Sequence, residues 1–357
     1  MIKLLVVDDS ALVRKLLGKV FGGEPDFEVR FARNGLEALE LLKPFAPDVI
    51  TLDIHMPQMD GLACLDRIMI EWPCPVVMVS TLTAEGAETT LEAFRLGAVD
   101  FVPKPEGTVS LHIDDLAPEL IAKVRGAAGA KLRSSLRLAD RVRHRMGQAQ
   151  TKGRTPRSEN AVAERPTGEG LVLVGTSTGG PPALEALLTA LPAEFPWPIL
   201  VAQHMPASFT GPLANRLDRI CALNVVEVQR PVLVQPGTVY IGRGDADLIV
   251  TRRSGELTAM AAPAQADYPW HPSTDRLVRS ALDQLPARQL IGVLMTGMGD
   301  DGAQAMTRLH TEGGQTIAEA EETAVVWGMP GELVKAKGAD WVLPLPNIAE
   351  RLRKLTP

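Results

Sequence analysis

Cysteine, aromatic residues and long hydrophobic runs are all scarce in this sequence, and each scarcity removes a class of protein. Cys64, Cys74 and Cys221 are the three cysteines of 357 residues, odd in number and without metal-ligand spacing, which excludes a disulfide framework and a cysteine zinc site. Buried, unreactive thiols in a reducing compartment are expected. Aromatics make up only 4% of the chain. The balance is acidic, with a formal net charge of −6 and a pI near 5.6, the wrong sign for a nucleic-acid footprint. No apolar run approaches spanning length, and "MIKLLVVDDS" turns acidic after a few residues, too early for a signal peptide. A cytoplasmic location, with no membrane insertion and no nucleic-acid partner, is therefore expected.

What is present is alternation. From the start to about Lys104, short apolar runs ("KLLVV", "DVITLD", "PVVMVS", "VDFVPK") alternate with helix-period stretches such as "NGLEALELLK" and "TTLEAFRLG". That pattern predicts parallel strands joined by crossover helices. Residues 116–146 read as a helical, basic connector, and "QAQTKGRTPRSENAVAERPTGEG" after it as a flexible linker. Its Lys and Arg residues have no aromatics among them, so a solvated linker is expected over a nucleic-acid patch. From about Gly170 the alternation resumes with "LVLVG", "PILVAQ", "TVYIG", "DLIVT", "LIGVLMTG" and "ADWVLPL". The fold class expected is α/β with two domains: residues 1–107, a linker over 108–168, and residues 169–357.

In the first domain, Asp8 and Asp9 follow one apolar run and Asp53 ends another, which puts three carboxylates at the carboxyl edge of a parallel sheet. Singly, each could be a helix cap or a solvated turn residue. Together with Ser80 and Lys104, which close two further runs, they make a place for Mg²⁺ and phosphoryl oxygens. The motifs "VVDDS", "LDIHMPQMDG", "VMVST" and "VDFVPKP" resemble the receiver domain of two-component response regulators over about residues 1–105. The resemblance implies a flavodoxin-like doubly wound sheet and phosphorylation of Asp53 by a histidine kinase. It also implies Mg²⁺ held directly by Asp9 and Asp53, by Asp8 through water and by the His55 backbone carbonyl. Ser80 and Lys104 would sense the acyl phosphate, with Phe101 in the place of the aromatic switch residue.

In the second domain "LVGTSTGG" fails the dinucleotide fingerprint and lacks the Lys of a P-loop. It satisfies Gly-x-Ser-x-Gly between a strand and a helix, the pattern of a sharp bend that exposes Ser177 as a nucleophile. A serine needs a base and a group to orient that base. His204 ends "PILVAQH", and Asp300 and Asp301 follow "LIGVLMTGMG", again at strand ends. The order Ser, His, Asp differs from that of α/β-hydrolases, so lipase-type topology is not expected.

"GTSTGG", "AQHMP", "MTGMGDDGA" and "AVVWGMP" resemble the catalytic domain of the CheB family, the chemotaxis protein-glutamate methylesterases. The resemblance implies Ser177 as nucleophile, His204 as base and then acid, and Asp301, rather than the solvent-facing Asp300, as its orienting carboxylate. Amides near Thr178 and Met298 would hold the oxyanion, and no cofactor is called for in this domain. "HPSTD", residues 271–275, resembles a segment near the cleft, whereas "YIGRGDAD" departs from the family at the loop containing Arg243. Implied partners are chemoreceptors as substrate and a CheA-type histidine kinase as phosphodonor. Implied activities are hydrolysis of glutamate γ-methyl esters and deamidation of receptor glutamine, with the unphosphorylated receiver covering the cleft. Two alternatives stay open: a receiver-regulated serine hydrolase of another ester or amide in a chemosensory pathway apart from motility, and a non-catalytic binding output. His112, His144 and His310 are expected as surface residues without charged partners.

Overall fold

Why the chain divides is visible in how its strands are buried. A computed structural model describes residues 1–104, 113–130, 132 and 170–357. In the first unit β1 (Ile2–Val7), β3 (Val49–Asp53) and β4 (Val76–Ser80) are continuous apolar runs, almost wholly buried, as parallel strands covered on both faces should be. With β2 (Phe27–Ala32) and β5 (Asp100–Pro103) they form a five-stranded parallel sheet in the order β2-β1-β3-β4-β5, the flavodoxin-like arrangement. Strand β2 escaped the sequence reading. As an edge strand it carries polar residues (FEVRFA), only its two ends being buried.

Helices α1 (Ala11–Gly22), α2 (Gly35–Phe45), α3 (Gly61–Glu71) and α4 (Ala84–Leu96) cross between these strands. Each starts on a polar cap, Ser10, Asn34, Asp60 or Thr83, whose side chain accepts a first-turn amide. Helix α5 (Ile113–Ala128) corrects the reading of this stretch as connector. Its Leu120, Val124 and Ala127 share a core with Leu4, Val6, Leu17 and Val77, so it packs as the last helix of the first unit. The stretch read as flexible linker, and His112 and His144, lie outside the described residues.

The second unit contains β6 (Leu171–Thr176), α6 (Gly180–Thr189), β7 (Ile199–Gln203), α7 (Ala207–Ile220), β8 (Asn224–Val228), β9 (Val232–Leu233), β10 (Thr238–Gly242), β11 (Ala246–Arg253) and β12 (Glu256–Pro263). It continues with α8 (Thr274–Leu282), β13 (Leu290–Leu294), α9 (Ala303–Thr311), β14 (Gln315–Glu319), α10 (Met329–Lys335), β15 (Trp341–Leu343) and α11 (Leu345–Leu355). Seven strands form a parallel sheet, β15-β14-β13-β6-β7-β10-β8. The chain builds outward from β6 on one side, then returns to β13 on the other. This reversal beside β6 is the topological switch point where open α/β sheets carry their sites.

Strand β11 is not part of that sheet. It pairs antiparallel with β12, which also pairs with β9, through a two-residue turn with positive φ at Ser254 and Gly255. The two units share one buried apolar cluster. Phe94 and Phe101 belong to it from the first, and Phe209, Leu213 and Leu217 from the second.

Candidate active site and phosphoacceptor site

Both sites sit at the carboxyl ends of parallel strands. In the first unit, Asp8, Asp9 and Asp53 bring carboxylate oxygens within 4.8 Å of one another. Lys104 Nζ lies 2.9 Å from Asp53 Oδ2 and 3.7 Å from Asp8 Oδ2. Burial, then repulsion from Asp53, pushes the Asp8 carboxyl up to about 7. Asp53 is raised by burial, against the lowering hydrogen bond from Lys104. Asp8 Oδ2 is buried without a hydrogen-bond donor among the described residues, and crowded carboxylates with an unsatisfied oxygen fit a small divalent cation. His55 is exposed, two residues past the strand end, and its amide lies 3.4 Å from Asp53 Oδ1. Ser80 is buried at its strand end and donates to Gly86 O.

In the second unit, Ser177, His204 and Asp301 come after three neighbouring strands, β6, β7 and β13. Thr176 and Gln203 are register partners, and the His204 amide donates to Thr176 O at 3.1 Å. Ser177 and His204 are therefore the next pair beyond the ladder. Gln203, not anticipated from sequence, ties them further: its Nε2 donates to Ser177 O and His204 O at 3.0 and 3.1 Å.

His204 Nε2 lies 2.8 Å from Asp301 Oδ2. An ionised carboxylate only accepts, so Nε2 carries the proton and Nδ1 keeps its lone pair. Nδ1 is buried and has no hydrogen-bond partner among the described residues. Asp301 also accepts from Ser273 Oγ, Thr274 N and Asp275 N. Burial alone would raise this carboxyl. The hydrogen bond from His204, with the Asp275 and Thr274 amides at the start of α8, outweighs it and holds it below its usual value. Asp300 is exposed.

The bend departs from a strained serine. Ser177 is not among the positive-φ residues, and Gly179 takes that conformation at φ 76°. Of the amides here, Ser177 N donates to Thr296 O, Gly179 N to Val99 O and Gly180 N to Ser177 O. The Thr178 amide has no hydrogen bond among the described residues. Thr178 Oγ1 donates to Asp100 of the first unit, and a Cβ on Gly126 of α5 would meet Met298 Sδ at 2.8 Å. Phe101 stacks on Phe209 with ring centroids 4.2 Å apart. Both oxyanion candidates thus lie against the first unit.

The "HPSTD" segment supplies three donors to Asp301, and Trp270 just before it stacks on His204 with centroids 5.7 Å apart. Neither partnership was readable, because each joins loops far apart in sequence. The Arg243 loop is pinned where Gly244 N donates to Thr210 Oγ1 and a Cβ on Gly244 would meet Met205 O, while Arg243 itself is exposed. His310 corrects an expectation. Its Nδ1 lies 3.0 Å from Asp340 Oδ1, so it has a charged partner.

A phosphoacceptor-type sheet joined to an α/β unit carrying a serine, histidine and carboxylate at its switch point defines a response regulator with a hydrolase output. Residues 172–352 match the family described as CheB methylesterase, and residues 4–113 match the response regulator receiver domain. Two relatives named protein-glutamate methylesterase/protein-glutamine glutaminase cover nearly the whole chain. That of Rhodopseudomonas palustris is 60% identical over 98% of this chain and 96% of its own, and that of Rhodospirillum rubrum 51% over 99% and 95%. The catalytic domain of the Thermotoga maritima CheB methylesterase is 38% identical, with a TM-score of 0.51 over 53% of this chain and 99% of its own. The chain belongs to the CheB methylesterase family and is a hydrolase with a receiver domain.

Proposed function

We propose that this protein hydrolyses glutamate γ-methyl esters on chemoreceptors, and deamidates receptor glutamine, through Ser177, His204 and Asp301 under control of phosphorylation at Asp53. The observation that carries the reading is His204: its Nε2 is committed to Asp301 while Nδ1 is buried and unpartnered among the described residues, and His204 and Ser177 each directly follow the last register pair of their two strands, Gln203 and Thr176. Ser177 Oγ attacks the ester carbonyl as its proton passes to His204 Nδ1, and Asp301 stabilises the imidazolium. The oxyanion falls to the Thr178 amide, aided by the Met298 turn. Collapse expels methanol, or ammonia from a glutamine, with the proton returned from Nδ1. Water then attacks the acyl-serine by the same route and releases glutamate. Replacing Ser177 with Ala should lower methanol release from a methylated receptor fragment by at least about 10³-fold. Undiminished turnover would refute the assignment.

In the receiver, Asp8, Asp9, Asp53 and the His55 carbonyl would hold Mg²⁺, which neutralises the carboxylates and the incoming phosphoryl oxygens. A CheA-type kinase is the phosphodonor, and Ser80 and Lys104 sense the product. The contacts of Val99, Asp100 and Gly126 with Gly179, Thr178 and Met298 support a regulatory role. In the unphosphorylated chain the receiver occupies the rim where the oxyanion must form, and phosphorylation shifts the population toward an uncovered site.

A further inference from the structure

A second buried carboxylate stands behind Asp301. Asp247, at the start of β11, is wholly buried and lies outside the parallel sheet that carries Ser177 and His204. Its Oδ1 accepts from His271 Nδ1 at 2.9 Å and Ser273 N at 2.7 Å, and its Oδ2 from Arg276 Nη1 at 2.6 Å. A buried anion is costly unless donors surround it. All three donors come from residues 271–276. The same segment supplies Ser273 Oγ, Thr274 N and Asp275 N to Asp301 at 2.9, 2.6 and 3.1 Å. Ser273 is the shared member, with its amide on one carboxylate and its hydroxyl on the other. Trp270, at the head of the segment, lies against the His204 ring.

We infer that Asp247 is a positioning residue for the catalytic pair: by fixing residues 271–276 through Ser273, it sets the orientation of Asp301 and hence of His204. The inference rests on the triad reading above. Among the described residues Asp247 hydrogen-bonds to His271, Ser273 and Arg276 and to none of the three triad side chains, so its effect passes through the Ser273 bridge. Because a misplacement of about 1 Å in a reacting group can cost on the order of 10²-fold, loosening the bridge should appear in kcat.

The test is a double-mutant cycle on the full chain, with Mg²⁺ and saturating small-molecule phosphodonor so that receiver coverage is the same throughout. Methanol release from a methylated receptor fragment is followed at steady state and in single turnovers. Asp247→Asn should lower kcat by about 10-fold or more, with KM within about 2-fold. In an Asp301→Asn background the same change should cost less than about 2-fold, because the group it positions has already been disabled. Ser273→Ala, which removes the hydroxyl bridge together with the cap that accepts from Arg276 N at 3.3 Å, should show the same non-additivity, and it carries the cycle if Asp247→Asn lacks a cooperative melt. Equal losses in both backgrounds, wild-type kcat, or a change confined to KM would overturn the inference. Full activity in Ser177→Ala would instead overturn the triad reading.

Discussion

Asp301 remains an anion where burial opposes it, and the groups that win are two backbone amides, a serine hydroxyl and an imidazole. Its pKa is depressed from an ordinary value of 3.8. Its contribution to stability is therefore present above that unfolded value and is lost as pH falls through the lower folded one. Asp301→Asn should melt below the parent at pH 7, and the gap should close as the pH falls below about 4. A gap of constant width would refute the account. The cysteines also behave as residues rather than as a site. Burial pushes the Cys64, Cys74 and Cys221 thiols up to about 12, so they stay protonated at neutral pH. Thiol alkylation of the folded chain should be slow, accelerate on unfolding, and leave esterase activity intact.

At the scale of elements, the passage from β6 into α6 depends on one backbone conformation. Gly179 adopts φ 76°, which costs a residue with a side chain about 1–2 kcal/mol. A Cβ there would also meet Val325 Cβ at 2.7 Å. Gly179→Ala should therefore destabilise the chain by roughly 1–3 kcal/mol in denaturant melts. It should also depress kcat by displacing the neighbouring Thr178 amide. Unchanged activity at reduced stability would separate the bend from the oxyanion. The start of α8 has the complementary task of pointing the Thr274 and Asp275 amides at the Asp301 carboxylate.

Across the whole molecule, the receiver contacts the catalytic unit through the strand that carries its aromatic residue. Phe101 is buried against Phe209 and Phe94, Lys123 of α5 donates to its carbonyl, and Val99 and Asp100 beside it bond the elbow. An aromatic pair contributes about 0.5–1.5 kcal/mol beyond its area, and about 1.4 kcal/mol is tenfold in a population. Phe101→Ala should raise the unphosphorylated chain's activity by roughly 3–10-fold and shrink the stimulation by phosphodonor. Asp53→Asn should abolish the stimulation while leaving basal turnover in place. Basal activity unmoved by Phe101→Ala would show that the stack does not hold the closed arrangement. Mg²⁺ should raise the melting temperature of the full chain, and Asp9→Asn should remove that increment.

Much of this molecule is legible in its letters. Buried parallel strands announce themselves as apolar runs, and a residue directly beyond such a run lies at a known edge of the sheet. Asp53, Lys104, Ser177 and His204 can therefore be placed from local pattern, whereas Asp301, seven residues past the end of β13, is told from Asp300 only by the resemblance to the family. Strands β2, β8, β9, β12 and β14 cannot be placed, because they are very short or carry polar residues or alanine among their apolar ones, and lose that signal. Helix α5 reads as a connector because charge between its apolar positions hides the face that packs on the receiver.

Sequence by itself determined which chemical groups the chain carries and at which strand ends, since both depend on local pattern. Only the tertiary structure decided which ring nitrogen of His204 meets Asp301, that Ser273 joins Asp301 to Asp247, and that Thr178 and Gly179 are held by the receiver. Those choices depend on contacts between segments 26 to 97 residues apart, and no local periodicity encodes the direction in which a hydrogen bond will point.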